Sequence, residues 1–134
     1  MQELVQQYCI IRNIAPIGWH VATDAEWTTL TDYLGGESNA APKLKEPGIT
    51  HWVTNYNTEW DWEGVTNESG FTAIAGGFND GSYWGIDGWG NWWTSIENNL
   101  SAFSRGIYAD YKNVFRAGNS SLWYGYSVRC VKDL

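Results

Sequence analysis

Aromatic side chains are the feature that most constrains how this chain folds. Its 134 residues include 10 Trp, 8 Tyr and 4 Phe, and each such ring buries on the order of 150 to 250 Å² when it is fully packed. A chain of this length forms one domain with a single core, so we treat residues 1–134 as one domain. Several rings must then lie at the surface, where Trp and Tyr commonly anchor ligands. The alternative is that a loop-rich domain uses them to fill an irregular core.

The charge balance, the apolar runs and the first residues of the chain each argue against a class of protein. The chain carries 8 Lys and Arg against 15 Asp and Glu, which gives a formal net charge of −7. We expect no nucleic-acid partner, because binding phosphates requires a basic surface. We expect no membrane insertion, because no apolar run approaches the roughly 18 to 20 residues that span a bilayer. Residues 1–7 contain Glu3 and no basic residue, so we predict no secretory signal peptide in this chain.

The strongest local pattern predicts an α-helix over residues 24–34. Residues 23–26 read Thr-Asp-Ala-Glu, which is the spacing of a capping box. Large apolar side chains then recur every three or four residues until Gly35 and Gly36 end the pattern. A second, short helical turn is predicted around residues 40–45.

The rest of the chain predicts loops in the middle and strands at the end. Residues 50–90 are a succession of Trp, Asn, Asp and Gly, which is typical of long ordered loops, and loops of this length are usually functional. Strands are predicted at residues 8–11, 70–74, 91–96, 102–108, 113–116 and 126–131. This order indicates an α+β domain whose antiparallel sheet is completed by a strand from near the N-terminus.

Seven blocks of sequence occur in a fixed order from residue 14 to the end of the chain. They are residues 14–27, 34–36, 43–46, 66–73, 76–77, 92–97 and 127–133. Together these blocks resemble the Fibrobacter succinogenes major paralogous domain. The resemblance implies a C-type-lectin-like fold, in the branch near the formylglycine-generating enzymes. It also implies one or two helices, a small antiparallel sheet, long ordered loops and neighbouring termini.

The resemblance also implies a function. We expect a non-catalytic ligand-binding domain of the receptor or adhesin type, belonging to a larger protein on a bacterial cell surface or a phage particle. Some family members are similar to variable proteins that diversity-generating retroelements diversify in the segment before the last strand. The ligand would be a surface protein or a glycan, and the oligomeric state stays open. The alternative is a structural surface or stalk module without a ligand of its own.

Carried onto this chain, the variable segment lies within residues 97–125. The resemblance implies that Arg105, Ile107, Val114 and Arg116 are scaffold. Strand alternation agrees for Arg105 and Ile107, because alternate residues of a strand share a face. The residues between these scaffold positions mix rings with small polar groups, as binding loops do, although an ordinary half-buried meander is the alternative. The candidate ligand-binding residues are Phe103, Ser104, Gly106, Tyr108, Asp110, Tyr111, Asn113, Phe115, Ala117, Asn119, Ser120, Leu122 and Trp123.

The ten tryptophans divide into two groups according to these blocks. We predict that the tryptophans in scaffold blocks build the core, namely Trp19, Trp27, Trp92 and Trp93. We predict that those in loops or variable-like positions face solvent and ligand, namely Trp60, Trp62, Trp84, Trp89 and Trp123. The position of Trp52 stays undetermined.

The two cysteines of the chain allow one disulfide bond, and the sequence does not decide whether it forms. The family usually has a cysteine where this chain has Ala15, so Cys130 lacks the partner that the resemblance implies. Cys9 takes that place if the two strands are adjacent, and the bond would then close a long loop. Two reduced, buried thiols are the alternative.

Catalytic and metal-binding patterns are weak. His20 lies in a scaffold block, and His51 has no partner nearby in sequence, so we expect no enzyme and no catalytic residue. The cysteine chemistry of the formylglycine-generating relatives does not carry over, because Cys130 lies in a scaffold strand. We expect no cofactor. Calcium, which needs several converging oxygens, is left open at two groups of acids, namely Asp80 with Asp87, and Glu59 with Asp61 and Glu63.

Overall fold

Two helices and eight short strands form the described part of the chain. The computed structural model describes residues 14–53, 64–95, 103–118 and 120–134. The helices are α1 (Asp24–Tyr33) and α2 (Ala41–Leu44). The strands are β1 (Trp19–Val21), β2 (Gly76–Asn79), β3 (Tyr83–Ile86), β4 (Trp89–Trp93), β5 (Ser104–Tyr108), β6 (Val114–Ala117), β7 (Ser127–Val128) and β8 (Cys130–Lys132). The domain is therefore a small mixed α+β structure.

Helix α1 confirms the capping pattern. The Thr23 Oγ1 accepts a hydrogen bond from the Glu26 N–H at 3.0 Å, and the Glu26 carboxylate accepts one from the Thr23 N–H at 2.8 Å. These two bonds satisfy backbone donors that the first turn of a helix leaves unpaired. Gly35 and Gly36, with φ of 99° and 92°, end the helix in a conformation that glycine adopts without strain.

Strand β4 organises the main sheet. The order is β3-β2-β4-β5-β6, in which β4 pairs antiparallel with β5. On its other edge β4 pairs in parallel with β2 at Gly90 and with β7 at Trp92 and Trp93. The sheet is thus mixed rather than purely antiparallel.

A short two-stranded ladder is separate from the main sheet. β1 pairs antiparallel with β8, from Trp19 opposite Lys132 to Val21 opposite Cys130, as a separate two-stranded ladder rather than as part of the main sheet. This pairing brings residue 19 beside residue 132. The strand predicted at residues 8–11 lies outside the described residues.

Two predictions for the middle of the chain are wrong. The strand predicted at residues 70–74 is reduced to a single bridge between Ala73 and Lys45, because Thr72 adopts a φ of 54° that interrupts extended backbone. Residues 76–86, predicted as loop, form the hairpin of β2 and β3. These residues are rich in glycine, so they do not match the sequence pattern of a strand. The hairpin requires glycine at position 77, because a Cβ there would lie 2.3 Å from the Trp84 carbonyl oxygen.

Three tryptophans form the centre of the core. Trp27, Trp52 and Trp92 are buried, as predicted for Trp27 and Trp92, and Trp52 joins them with 0% of its surface exposed. Its indole N–H donates to the Ala73 carbonyl oxygen at 2.9 Å. Trp93 is half-buried. The prediction for Trp19 is wrong, because this side chain is 41% exposed on the short β1–β8 ladder.

A buried arginine joins helix α1 to the main sheet. Arg105 of β5 is 0% exposed, and its guanidinium donates to Asp24 Oδ1 at 2.8 and 3.0 Å and to Thr28 Oγ1 at 2.9 Å. It also donates to Glu37, while Arg116 of β6 donates to Asp24 Oδ2 at 2.9 Å. Burial raises the pKa of Asp24, but the hydrogen bonds from Arg116 and Arg105 outweigh it and hold that pKa below its ordinary value.

His20 links the start of α1 to the end of the chain. Its Nδ1 lies 2.6 Å from Asp133 Oδ1, and its Nε2 lies 2.8 Å from Glu26 Oε1. The hydrogen bond to Asp133 and then the one to Glu26 raise the pKa of His20 above its ordinary value of 6.5. His20 is therefore a structural residue that prefers its charged form.

Replacing His20 with glutamine is expected to destabilise the domain in acid and much less in alkali. A group whose pKa is higher in the folded than in the unfolded protein stabilises the folded state. For His20 this contribution is complete below the unfolded pKa of 6.5 and is lost as the pH rises through the folded pKa. The melting temperatures of wild type and His20→Gln should differ most below the unfolded pKa of 6.5 and converge as the pH rises through the folded pKa of His20. A difference that does not change with pH would contradict this account.

Candidate functional site

Eight rings form a continuous chain across one side of the main sheet, which we call the aromatic face. Neighbouring centroids along this chain are 4.6 to 6.4 Å apart. The rings come from β2, β4, β5, β6 and the segments beside them. They are Phe78, Trp89, Trp93, Tyr108, Tyr111, Phe115, Tyr124 and Tyr126.

Strand alternation places these rings on the same side. Trp89 of β4 lies opposite Tyr108 of β5, and Gly106 lies opposite Phe115 of β6. The intervening Arg105 and Ile107 point into the interior and are fully buried, as the alternation predicted. The buried side of β5 therefore holds the scaffold, and its other side faces outward with Tyr108.

The aromatic face contains a groove of about 500 Å³. Six of the eight rings line it, and the polar lining comes from Asp80, Asn91 and Asp110. The Oδ1 atom of Asp110 is buried and has no hydrogen-bond partner within the described ranges. A buried acceptor without a donor is costly, and the residue that carries it belongs to the lining of the groove.

A buried lysine supports the turn that carries Asp110. Lys45 is buried, and its Nζ donates to the carbonyl oxygens of Ala109 at 2.9 Å and Tyr111 at 3.1 Å. Burial lowers the pKa of Lys45 to about 8, against the opposing effect of the Asp110 charge. Lys45 is thus mostly charged at neutral pH, and it fixes the backbone on both sides of Asp110.

Two phenols of the groove, those of Tyr108 and Tyr126, are neutral hydrogen-bonding groups. Burial raises the pKa of Tyr108 above its ordinary value of 10.0. Burial also raises the pKa of Tyr126, although a hydrogen bond with Ser120 opposes the shift. Both hydroxyls therefore keep their protons at neutral pH and can donate as well as accept.

The structure brings five of the predicted ligand-binding residues together on the aromatic face. Trp89, Tyr108, Asp110 and Tyr111 line the groove, and Phe115 packs against Tyr108 with ring centroids 5.0 Å apart. Their ligand-binding role remains a prediction. The structure shows that these five residues lie together on one surface.

Two other candidates lie on the expected side of β5 but are covered. Ser104 is buried, and its hydroxyl lies 2.8 Å from that of Ser120. A Cβ at Gly106 would lie 2.8 Å from the Tyr108 hydroxyl oxygen, so the tyrosine ring covers this glycine. Neighbouring side chains therefore cover Ser104 and Gly106, and their ligand-binding role stays a prediction.

The remaining candidates are not members of the ring chain or lie outside the described residues. Trp84 and Trp123 are exposed, as predicted, and the Trp84 indole donates to Asp80 Oδ1 at 2.9 Å. Phe103 lies beneath the Arg116 guanidinium at 4.0 Å. Ala117 is exposed, whereas Asn113, Ser120 and Leu122 are half-buried. The candidates outside the described residues are Asn119, Trp60 and Trp62.

Sequence reasoning missed five members of this surface. They are Phe78, Asn91, Trp93, Tyr124 and Tyr126. The alternation of Tyr124, Gly125 and Tyr126 directly before β7 was the signal that could have found the last two, since alternate residues share a face. Phe78 arrives through the unpredicted strand β2.

The other polar candidates are paired or separate. His51 has a partner after all, with its Nδ1 2.6 Å from Glu46 Oε2. Cys130 is half-buried and has no disulfide partner among the described residues, and Cys9 lies outside them. In those same ranges no three His, Cys, Asp or Glu residues are grouped as a metal site, and Glu59, Asp61 and Glu63 are not among the described residues.

The fold and the aromatic face define a small α+β domain that presents a ring-lined groove on one side of a mixed sheet. The family model of the Fibrobacter succinogenes major domain matches residues 4–132, so the chain belongs to this family. No curated protein and no solved structure matches the chain. No helix in the described part of the chain is long and apolar enough to cross a membrane.

Proposed function

We propose that this domain binds a ligand on its aromatic face and catalyses no reaction. The observation that carries the proposal is the continuous chain of rings around a groove of about 500 Å³, a volume typical of ligand sites. Several of these rings are exposed, including Trp89, Tyr111 and Phe115. Large exposed aromatic patches on a soluble domain commonly mark interaction sites.

Rigid support beneath the face favours binding. Arg105, Ile107 and Val114 are buried directly behind the strands that carry the rings, and Lys45 holds the turn at Asp110. A preorganised surface loses little conformational entropy when a ligand binds. The same arrangement lets outward side chains vary while the scaffold stays constant.

The resemblance to family members also supports a more specific proposal about fold, role and ligand. We propose a C-type-lectin-like fold and a place in a larger receptor or adhesin of a bacterial surface or a phage particle, with a surface protein or a glycan as ligand. Diversification by a retroelement is part of this proposal for residues 97–125. A reverse transcriptase gene beside an imperfect repeat of the segment encoding residues 92–130 would support it, and a neighbourhood without either would contradict it.

Replacing Tyr111 with alanine is expected to weaken ligand capture by about thirtyfold or more, because a ring at the centre of an interface typically contributes at least about 2 kcal/mol. Its side chain is 55% exposed, so the free energy of unfolding should change by less than about 0.5 kcal/mol. The measurement compares wild type and variant on arrays of glycans and of purified bacterial surface proteins, with thermal unfolding in parallel.

Tyr33→Ala is the matched control for this experiment. Tyr33 is 86% exposed on α1, away from the aromatic face, and its replacement should leave capture unchanged. Equal capture by wild type and Tyr111→Ala would contradict the proposed site. If wild type retains no ligand on either array, the alternative of a structural surface or stalk module is favoured instead.

A further inference from the structure

We propose that the groove of the aromatic face recognises an organic ammonium group. This inference rests on the proposed binding function and names the ligand's chemistry. Its observations are independent of the family: the arrangement of the rings, the unpartnered carboxylate oxygen and the charge around the groove.

The rings surround the groove at different angles. Phe78 and Trp89 are stacked with an interplanar angle of 9°, whereas Tyr108 meets Trp89 at 63° and Tyr126 meets Phe78 at 75°. All four of these rings line the same groove. The face of an aromatic ring is negative and attracts a cation, and such cages are used to bind quaternary and alkylammonium groups.

Two carboxylates add to the attraction. Asp110 and Asp80 line the groove, and Asp110 Oδ1 is buried without a hydrogen-bond partner among the described residues. Asp80 uses its Oδ1 to accept from the Trp84 indole at 2.9 Å. A ligand cation in the groove would be attracted by the charges of both carboxylates and needs no direct hydrogen bond to the buried oxygen.

The charges around the groove favour a cation over an anion. The described lining contains these two acids and no lysine or arginine. Lys45 is not part of the lining, and its Nζ donates to Ala109 and Tyr111. Its charge interacts with that of Asp110 and offsets part of it, so Asp80 carries the remaining negative charge of the lining. The whole chain has a formal net charge of −7, and a cleft with low-dielectric walls concentrates such a field. An anionic ligand would be repelled, and a neutral one would gain nothing from these charges.

The test titrates the wild-type domain with choline and with its neutral carbon analogue, in which a tert-butyl group replaces trimethylammonium. Binding is followed by tryptophan fluorescence, since Trp89 lines the groove, and by calorimetry. We expect saturable binding of choline and binding of the neutral analogue that is weaker by about tenfold or more. A third titration, with Nα-acetyl-lysine amide, distinguishes a protein side chain from a small quaternary ammonium compound as the source of the group.

Asp110→Asn is the decisive variant, because it removes the charge and keeps the shape. It should weaken choline binding by about tenfold, because it removes a charge that attracts the cation, whereas Asp32→Asn, at an exposed position on α1, should not. Thermal unfolding of both variants verifies the fold. Should Asp110→Asn fold poorly, Asp80→Asn provides the second charge removal, with weaker choline binding again expected.

Three results would overturn the inference: equal binding of choline and its neutral analogue, unchanged choline binding by the folded Asp110→Asn variant, or no saturation with either ammonium probe. None of these overturns the binding function itself, which the array measurement with Tyr111→Ala tests separately. Loss of array capture by Tyr111→Ala together with any of these results would show that the face binds a ligand of different chemistry.

Discussion

Replacing Arg105 with methionine is expected to lower the free energy of unfolding by about 3 kcal/mol, the lower end of the cost of breaking a buried ion pair. Methionine keeps much of the volume of the arginine side chain but removes every donor. Asp24 would then remain buried with only Arg116 as its ionic partner, and Thr28 Oγ1 would lose the donor that now lies 2.9 Å away. Chemical denaturation of wild type and variant measures the effect.

Arg116→Met is the matched control, because it removes the other arginine from the same carboxylate. The Arg116 side chain is 42% exposed, so solvent screens its ion pair, and the expected loss is about 1 kcal/mol or less. Equal losses in the two variants would contradict the view that burial makes Arg105 the main connection between α1 and β5.

Replacing Trp52 with alanine is expected to cost about 4 kcal/mol, the range found when a large buried ring is truncated. The side chain is fully buried, and its N–H is the donor to the Ala73 carbonyl oxygen. Its ring also lies 5.2 Å from the Lys45 Nζ, so the variant would leave a cavity beside a buried charge. Thermal and chemical unfolding both report this loss.

Two further variants show whether burial or size causes the effect. Trp123→Ala removes an equally large ring from an exposed position and should change stability by less than about 0.5 kcal/mol. Trp52→Phe keeps an aromatic ring but removes the donor, and it should cost about 1 to 3 kcal/mol. A Trp52→Ala variant as stable as Trp123→Ala would place Trp52 outside the core.

The stability of the core and the shape of the groove are physically connected. Trp52 packs beside Lys45, and Lys45 binds the two carbonyl oxygens on either side of Asp110. A substitution at Trp52 is therefore expected to alter the position of Lys45 and, through it, the turn at Asp110 in the groove. Arg105 and Tyr108 likewise lie on opposite sides of the same strand, so the scaffold and the proposed binding surface share one backbone.

Local patterns predicted what local interactions produce. The capping box and the helical spacing after residue 26 predicted α1, because the bonds that start a helix join residues three positions apart. Alternation in β5 predicted which side chains face the core, since successive residues of a strand point to opposite sides. Both patterns are complete within a few residues of sequence.

Long-range pairing was beyond the reach of these patterns. The hairpin of β2 and β3 is rich in glycine, and its place beside β4 depends on the parallel pairing of Gly77 with Gly90. Nothing in the local sequence around Phe78 predicts its contact with Trp89, which depends on that pairing. Trp19 was assigned to the core on its sequence block, yet it lies on a short two-stranded ladder that leaves it partly exposed.

The sequence by itself determined that this chain has more aromatic surface than one small core can bury and that α1 begins after Thr23. It also determined the family to which the chain belongs. Only the tertiary structure decided which rings gather into one face and which acidic oxygen lies unpaired beside them. The physical reason is that helix caps and strand alternation act over a few residues. The groove, in contrast, is assembled by strand pairing between segments far apart in sequence.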